Sequence, residues 1–138
     1  MTHEKIVITD TLIEFETAKL AKEKGFNWKV RYSYGHNINP HLAYPKEDYS
    51  IATNFNDSVE RYNKSLQDRL KNLISAPTKS LLQKWLREEH DIFIYCVPRG
   101  NVYPDIKWGN NISMRENNYY HSYEEALEVG LQEALKLI

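Results

Sequence analysis

Apolar and polar positions change period several times along the chain, and each change marks an element. Leu81, Leu82, Trp85 and Leu86 fall on one stripe of a 3.6-residue period, with Lys79, Gln83, Lys84, Arg87 and Glu88 opposite. The spacing predicts a half-buried helix. Pro77 suits a first helical turn, where an amide would lack a partner anyway, and Ser75 and Thr78 both offer a capping oxygen. After Glu89, His90 and Asp91 the period falls to two. Ile92, Ile94 and Cys96 then point one way and Phe93, Tyr95 and Val97 the other. Both sets are apolar, which predicts a central strand over 92–97, covered on each face, with the helix folded back over it.

Elsewhere the patterns are plainer. Residues 5–13 have the β-branched composition of a first strand, and 15–24 form a helix with Phe15, Ala18 and Ala21 along one side. Gly25 is placed to close that helix in a left-handed conformation, and Phe26 to pack back on it. Trp28, Val30, Tyr32 and Tyr34 alternate with Lys29, Arg31 and Ser33, a strand with one buried and one wet face. Residues 35–56 read as a loop holding at most a short strand. Asn56 or Asp57 then caps a helix to about 73, through Val59, Tyr62, Leu66, Leu70 and Leu73.

Beyond the central segment, Arg99, Gly100 and Asn101 turn the chain into a strand over 102–108, which Pro104 confines to a sheet edge. Gly109, Asn110 and Asn111 make the next turn, and 112–115 complete an antiparallel meander. Ser122 and Glu125 form an S-x-x-E capping box for a last helix, with Tyr123, Leu127, Leu131, Ala134, Leu135 and Ile138 as its buried stripe. Helix followed by strand occurs twice. Setting Leu20 on Leu86 brings Phe15 to Leu81, Glu23 to Glu89 and Phe26 to Ile92; two similar halves and a chance echo both account for this. The expectation is one globular α+β domain over 1–138, a mostly antiparallel sheet covered by amphipathic helices.

Composition narrows the class. With 138 residues, 41% hydrophobic and 27% charged, the chain can bury a normal core. No apolar run approaches the roughly 20 residues a bilayer span needs, and the first residues lack a signal-peptide pattern, so a cytoplasmic protein is expected. One cysteine, Cys96, excludes an internal disulfide, and its strand setting favours an inert thiol. Net charge is −1, but 19–87 carry thirteen Lys and Arg against six Asp and Glu, and 88–138 four against nine. Solvated helix faces account for such asymmetry more simply than an anionic partner does.

Candidate chemistry is thin. His36 and His41 with Glu47 and Asp48 match no metal-ligand spacing, and Glu88, Glu89, His90 and Asp91 fan out around a helix end. No catalytic or phosphate-binding motif is present. The expectation is therefore no enzyme, no cofactor and no metal. A binding surface has more support. Tyr95, Tyr103, Trp108, Tyr119, Tyr120 and Tyr123 lie in or beside the meander with Arg99, Lys107, Arg115 and His121. Aromatic rings among cations can stack a base and pair a phosphate, or anchor a protein partner, unless the rings simply form the sheet's core and rim.

The blocks FETAKLAKEKGFNW, SAPTKSLLQKWLREEHDIFI and SYEEALEVGLQEALKLI, in this order, resemble a group of small proteins encoded by phages and prophages of gut bacteria. No activity is assigned to that group, so no residue role carries over. The resemblance implies a protein acting inside an infected or lysogenic bacterium, with interference in host processes or defence as the associated role. The first expectation is thus a phage-type accessory protein that binds a host or defence protein, as a monomer or a homodimer. Sequestration of a small anionic ligand such as a nucleotide signal comes second. Nucleic-acid binding ranks last because the net charge is near neutral.

Overall fold

A computed structural model describes residues 12–35, 46–47, 53–57, 73–99, 107–113 and 119–138. Among them are three helices, a three-stranded sheet and a two-stranded sheet, both antiparallel, so the class is α+β as expected. No helix among the described residues is long and apolar enough to cross a membrane. The chain divides into two compact units, Met1–Thr78 and Lys79–Ile138.

In the first unit, helix α1 (Phe15–Glu23) buries Phe15, Thr17, Ala18 and Ala21. Glu16 in its first turn and Lys22 in its last both favour the helix dipole. Gly25 ends the helix at φ +93°, a region glycine enters without steric cost, and the amide of buried Phe26 returns to the Ala21 carbonyl at 2.9 Å. Strand β1 (Tyr32–Gly35) lies between β2 (Lys46–Glu47) and β3 (Leu73–Ser75), with Ser33 opposite Lys46 on one side and Ser75 on the other. Tyr34 is buried as its alternation predicts, but Ser33 is buried too. A small side chain in the middle strand is shielded from both sides.

The Tyr34 hydroxyl donates to the Ile13 carbonyl at 2.7 Å, and its ring meets Phe15 edge-on at 5.4 Å, which fastens β1 to the start of α1. Asn56 adds a second tie. Its Nδ2 donates to the Phe26 carbonyl and its Oδ1 accepts the Ser75 amide. Two expectations change here. Leu73 opens β3 instead of closing a helix, and Ser75 is a strand residue whose Oγ accepts the Phe55 amide, so it caps nothing. The rest of the helix expected from Asn56 or Asp57 lies outside the described residues. So does the strand expected over 5–13, except Leu12 and Ile13; Leu12 forms an antiparallel bridge with Thr78.

In the second unit, helix α2 (Lys79–His90) buries Leu82, Trp85 and Leu86 as the spacing requires, leaves Leu81 of the same stripe half-buried, and buries Lys79, which the spacing placed opposite. Pro77 precedes the helix instead of entering its first turn, and its carbonyl accepts the Ile13 amide. Asp91 terminates the helix at φ 57°, and the Ile92 amide returns to the Leu86 carbonyl. At the 66-residue offset that pairs Leu20 with Leu86, Asp91 stands where Gly25 stands. The buried faces do not coincide, however: Leu82 and Trp85 would fall on exposed Glu16 and Lys19. The likeness between the two helix-strand segments lies in how each helix stops, not in what it buries.

Strand β4 (Cys96–Pro98) pairs only with β5 (Trp108–Asn110) among the described residues, with Cys96 opposite Asn110 and Pro98 opposite Trp108. The expected central strand is therefore shorter, and among the described residues it has one partner strand where two were expected. Gly109 and Asn110, expected in a turn, belong to β5. Ile112 and Ser113 are not in a strand; both amides donate to the Asn110 Oδ1. Trp108 instead bridges to Tyr120. Residues 100–106 and 114–118, including the remainder of two expected strands, lie outside the described residues.

Helix α3 (Tyr123–Lys136) packs on β4, β5 and α2. The Ser122 Oγ accepts the Glu125 amide at 3.1 Å, one half of the expected box, while the Glu125 carboxylate takes the amide of His121, one residue before the cap. Ala126, Leu127, Leu131, Ala134 and Leu135 are buried, but Tyr123 and Ile138, placed in the buried stripe by spacing, are exposed at the helix ends. Lys79 and Glu128 form an ion pair of 3.5 Å between α2 and α3, and the Gln83 side chain donates to the Ile94 carbonyl at 2.6 Å.

Two substitutions test this packing. Trp85→Ala, which empties a buried site beside His90 (ring centroids 4.6 Å), should destabilise by roughly 3–5 kcal/mol in denaturant unfolding. Asn110→Ala should cost more than about 2 kcal/mol by the same measurement, because it strips partners from the Ala126 carbonyl and two amides at once.

Candidate binding face

Alternation along β4 and its approach divides the side chains into two sets. Ile94, Cys96, Trp108 and Asn110 turn towards α3: Asn110 Nδ2 donates to the Ala126 carbonyl at 2.8 Å, and Trp108 meets Tyr123 edge-on at 5.5 Å. A methyl on Gly130 would come within 3.1 Å of Ile94 Cγ2 and 3.3 Å of Asn110 Cγ, so its hydrogen admits the sheet close to the helix. The opposite set faces outward. Phe93 is 54% exposed, Tyr95 59% and Val97 39%, and Tyr119, next to the Tyr120 bridge, is 49% exposed.

That exposure overturns the expectation of a strand covered on both faces. The period of two was correct, but it does not say what lies over each set. In residues 93–99 one face meets α3 and the other meets no described element of this unit. Phe93 and Val97, read from the sequence as core, are therefore surface residues that the aromatic candidates did not include. Their signal was present as apolar side chains on the same parity as Tyr95.

The expected site residues are split by this geometry. Tyr95, Arg99, Lys107 and Tyr119 belong to the outward face. The Arg99 amide donates to the Lys107 carbonyl at 2.7 Å, so these two cations stand opposite one another across the strands. Lys107 Nζ lies 6.0 Å from the Tyr119 ring centroid, within cation–π range. Trp108 and Tyr120 are half-buried on the other side, and His121 is exposed just before the α3 cap. Tyr103 and Arg115 lie outside the described residues, as do His36 and His41.

Asparagine side chains frame the face. Asn111 Oδ1 accepts the Tyr95 amide at 2.9 Å, and its Nδ2 donates to the Phe93 carbonyl at 2.9 Å, extending the sheet by side-chain hydrogen bonds where β4 has not yet begun. Phe93 and Tyr95 are thereby held in line with Val97.

Two titratable groups beside the face are shifted by their surroundings. Burial, reinforced by the Glu124 carboxylate, pushes the Cys96 thiol up to about 11, and burial also raises Tyr123. Glu88 and Glu89 are exposed, His90 meets the Trp85 ring edge-on, and no group of three metal-ligating side chains exists among the described residues. Because the neutral thiol dominates below pH 11, Cys96 alkylation by iodoacetamide at pH 8 should run roughly a hundredfold slower than an ordinary thiol. The rate, followed by intact mass, should still be climbing at pH 10; a plateau near pH 8.5 would contradict the buried setting.

Comparison with protein-family models, curated proteins and solved structures finds no match.

Proposed function

We propose that this chain is a binding module, not an enzyme, and that its outward β4–β5 face engages a protein partner. The carrying observation is the line of Phe93, Tyr95 and Val97 with Tyr119 beside it, four large side chains each left more than a third exposed on one face. Such contiguous apolar area is costly in water and is the usual mark of a surface that is covered in use. Rigid aromatic side chains with polar tips lose little entropy on docking, which suits tyrosines to the centre of an interface.

On the strength of the sequence resemblance, the setting is the cytoplasm of a bacterium carrying a phage or prophage, and the partner is a host or defence protein. Sequestration of a small anionic ligand has less support. A ligand site normally encloses its occupant, whereas these side chains are spread along an open strand face.

Tyr95→Ser with Val97→Ser tests this. Both side chains point away from α3, so the circular dichroism spectrum and unfolding midpoint should stay close to wild type. Affinity capture from a bacterial lysate, quantified by mass spectrometry, should lose the principal captured protein by at least about tenfold, since truncating a central anchor typically removes upwards of 1–2 kcal/mol. Equal recovery by wild type and double variant would remove the face from partner binding.

A further inference from the structure

Resting on that reading of the face, we infer that the surface which docks here is an acidic segment of a protein, its carboxylates meeting Arg99 and Lys107 and its apolar side chains meeting Phe93, Tyr95 and Val97. Among the described residues the charge on the face is one-sided. Residues 93–99, 107–113 and 119–121 contain Arg99, Lys107 and His121 and no carboxylate, although residues 88–138 as a whole carry nine acidic against four basic side chains. Of the nearest helical carboxylates, Glu125 takes the His121 amide.

Two like charges directly across an antiparallel pair repel one another. Arg99 and Lys107 are paired across the strands by the Arg99 amide to Lys107 carbonyl bond, so a carboxylate docked between the two strands meets both cations.

Arg99 is also seated. Its guanidinium lies across Gly109, where any side chain would fall on Nε and Cδ, and Nη2 donates to the Asn110 carbonyl at 3.3 Å. Its other guanidinium donors have no partner among the described residues. An exposed guanidinium held over Gly109 by one hydrogen bond is in part pre-organised for contact with a carboxylate. Strands disfavour glycine, and here the missing side chain leaves the space that Arg99 fills.

Phe93, Tyr95 and Val97 repeat at about 7 Å, two residues of extended chain, which is also the repeat of same-side residues in a bound extended segment. Val97 offers no flat ring, so the line suits aliphatic or aromatic protein side chains better than a run of stacked bases.

The test uses the full chain with three probes: a short synthetic peptide alternating glutamate and leucine, its counterpart with glutamine for glutamate, and oligo-dT. Titration followed by amide chemical shifts should show the acidic peptide moving residues 93–99, 107 and 109. The glutamine peptide should bind at least about tenfold more weakly, and affinity for the acidic peptide should fall with added salt. Gly109→Ala, with an unchanged unfolding midpoint, should bind the acidic peptide about tenfold more weakly than wild type, and Arg99→Gln should do the same without touching the strand backbone.

Equal binding of the two peptides, no binding of the acidic peptide at millimolar concentration, or wild-type affinity in both variants overturns the inference. Binding of oligo-dT in place of the peptide overturns it too and assigns the face to single-stranded nucleic acid. If the acidic peptide fails while the double variant at Tyr95 and Val97 still loses its captured protein, the broader reading stands and only the partner's chemistry is wrong. If the peptide binds equally well to that double variant, the cations act alone and the broader reading falls.

Discussion

A single buried carboxamide governs the second unit. Asn110 is 1% exposed, and an amide withdrawn from water is tolerable only with its hydrogen bonds made. Its Nδ2 reaches the Ala126 carbonyl on α3, and its Oδ1 collects the amides of Ile112 and Ser113 as the chain leaves β5. The same side chain thus docks the sheet on the helix and sets the turn. Gly130 allows the approach, and Lys79 with Glu128 ties α2 to the other side of α3. Once the inward face is fixed in this way, the pleat dictates that Phe93, Tyr95, Val97 and Arg99 face outward.

Strands this short explain why side-chain amides are so prominent. A pairing of two or three residues supplies few ladder bonds, and isolated short hairpins are marginal in water. Asn56 bridges Phe26 to Ser75 in the first unit, and Gln83 and Asn111 hold the backbone of 93–95 in the second. No buried side-chain nitrogen or oxygen among the described residues lacks a partner. The two units share this way of supplementing their sheets even though their helices bury different faces.

The outward face follows from the same economy. Among the described residues this sheet has two strands and one helix layer against it, and apolar side chains on the far side are left exposed. Arg99 folding over Gly109 and Lys107 resting near Tyr119 cover part of the area with their stems while keeping their charges accessible. The result is a surface apolar at the Phe93 end and cationic at the Arg99 end.

The helices were legible because their determinants are local. The stripe of Leu82, Trp85 and Leu86, the left-handed Gly25 and the Ser122 cap each act within a few residues, and each is found where the pattern put it. Alternation over 92–97 was equally legible, since the pleat is a property of the backbone. Only the tertiary structure decided which of the two sets met α3. A period of two groups residues by face, but burial depends on another layer distant in sequence. For the same reason Asn110 and Gly109 looked like turn residues: composition records a preference for turns, and the partners that override it, Ala126 and Arg99, come into place only when the chain is folded.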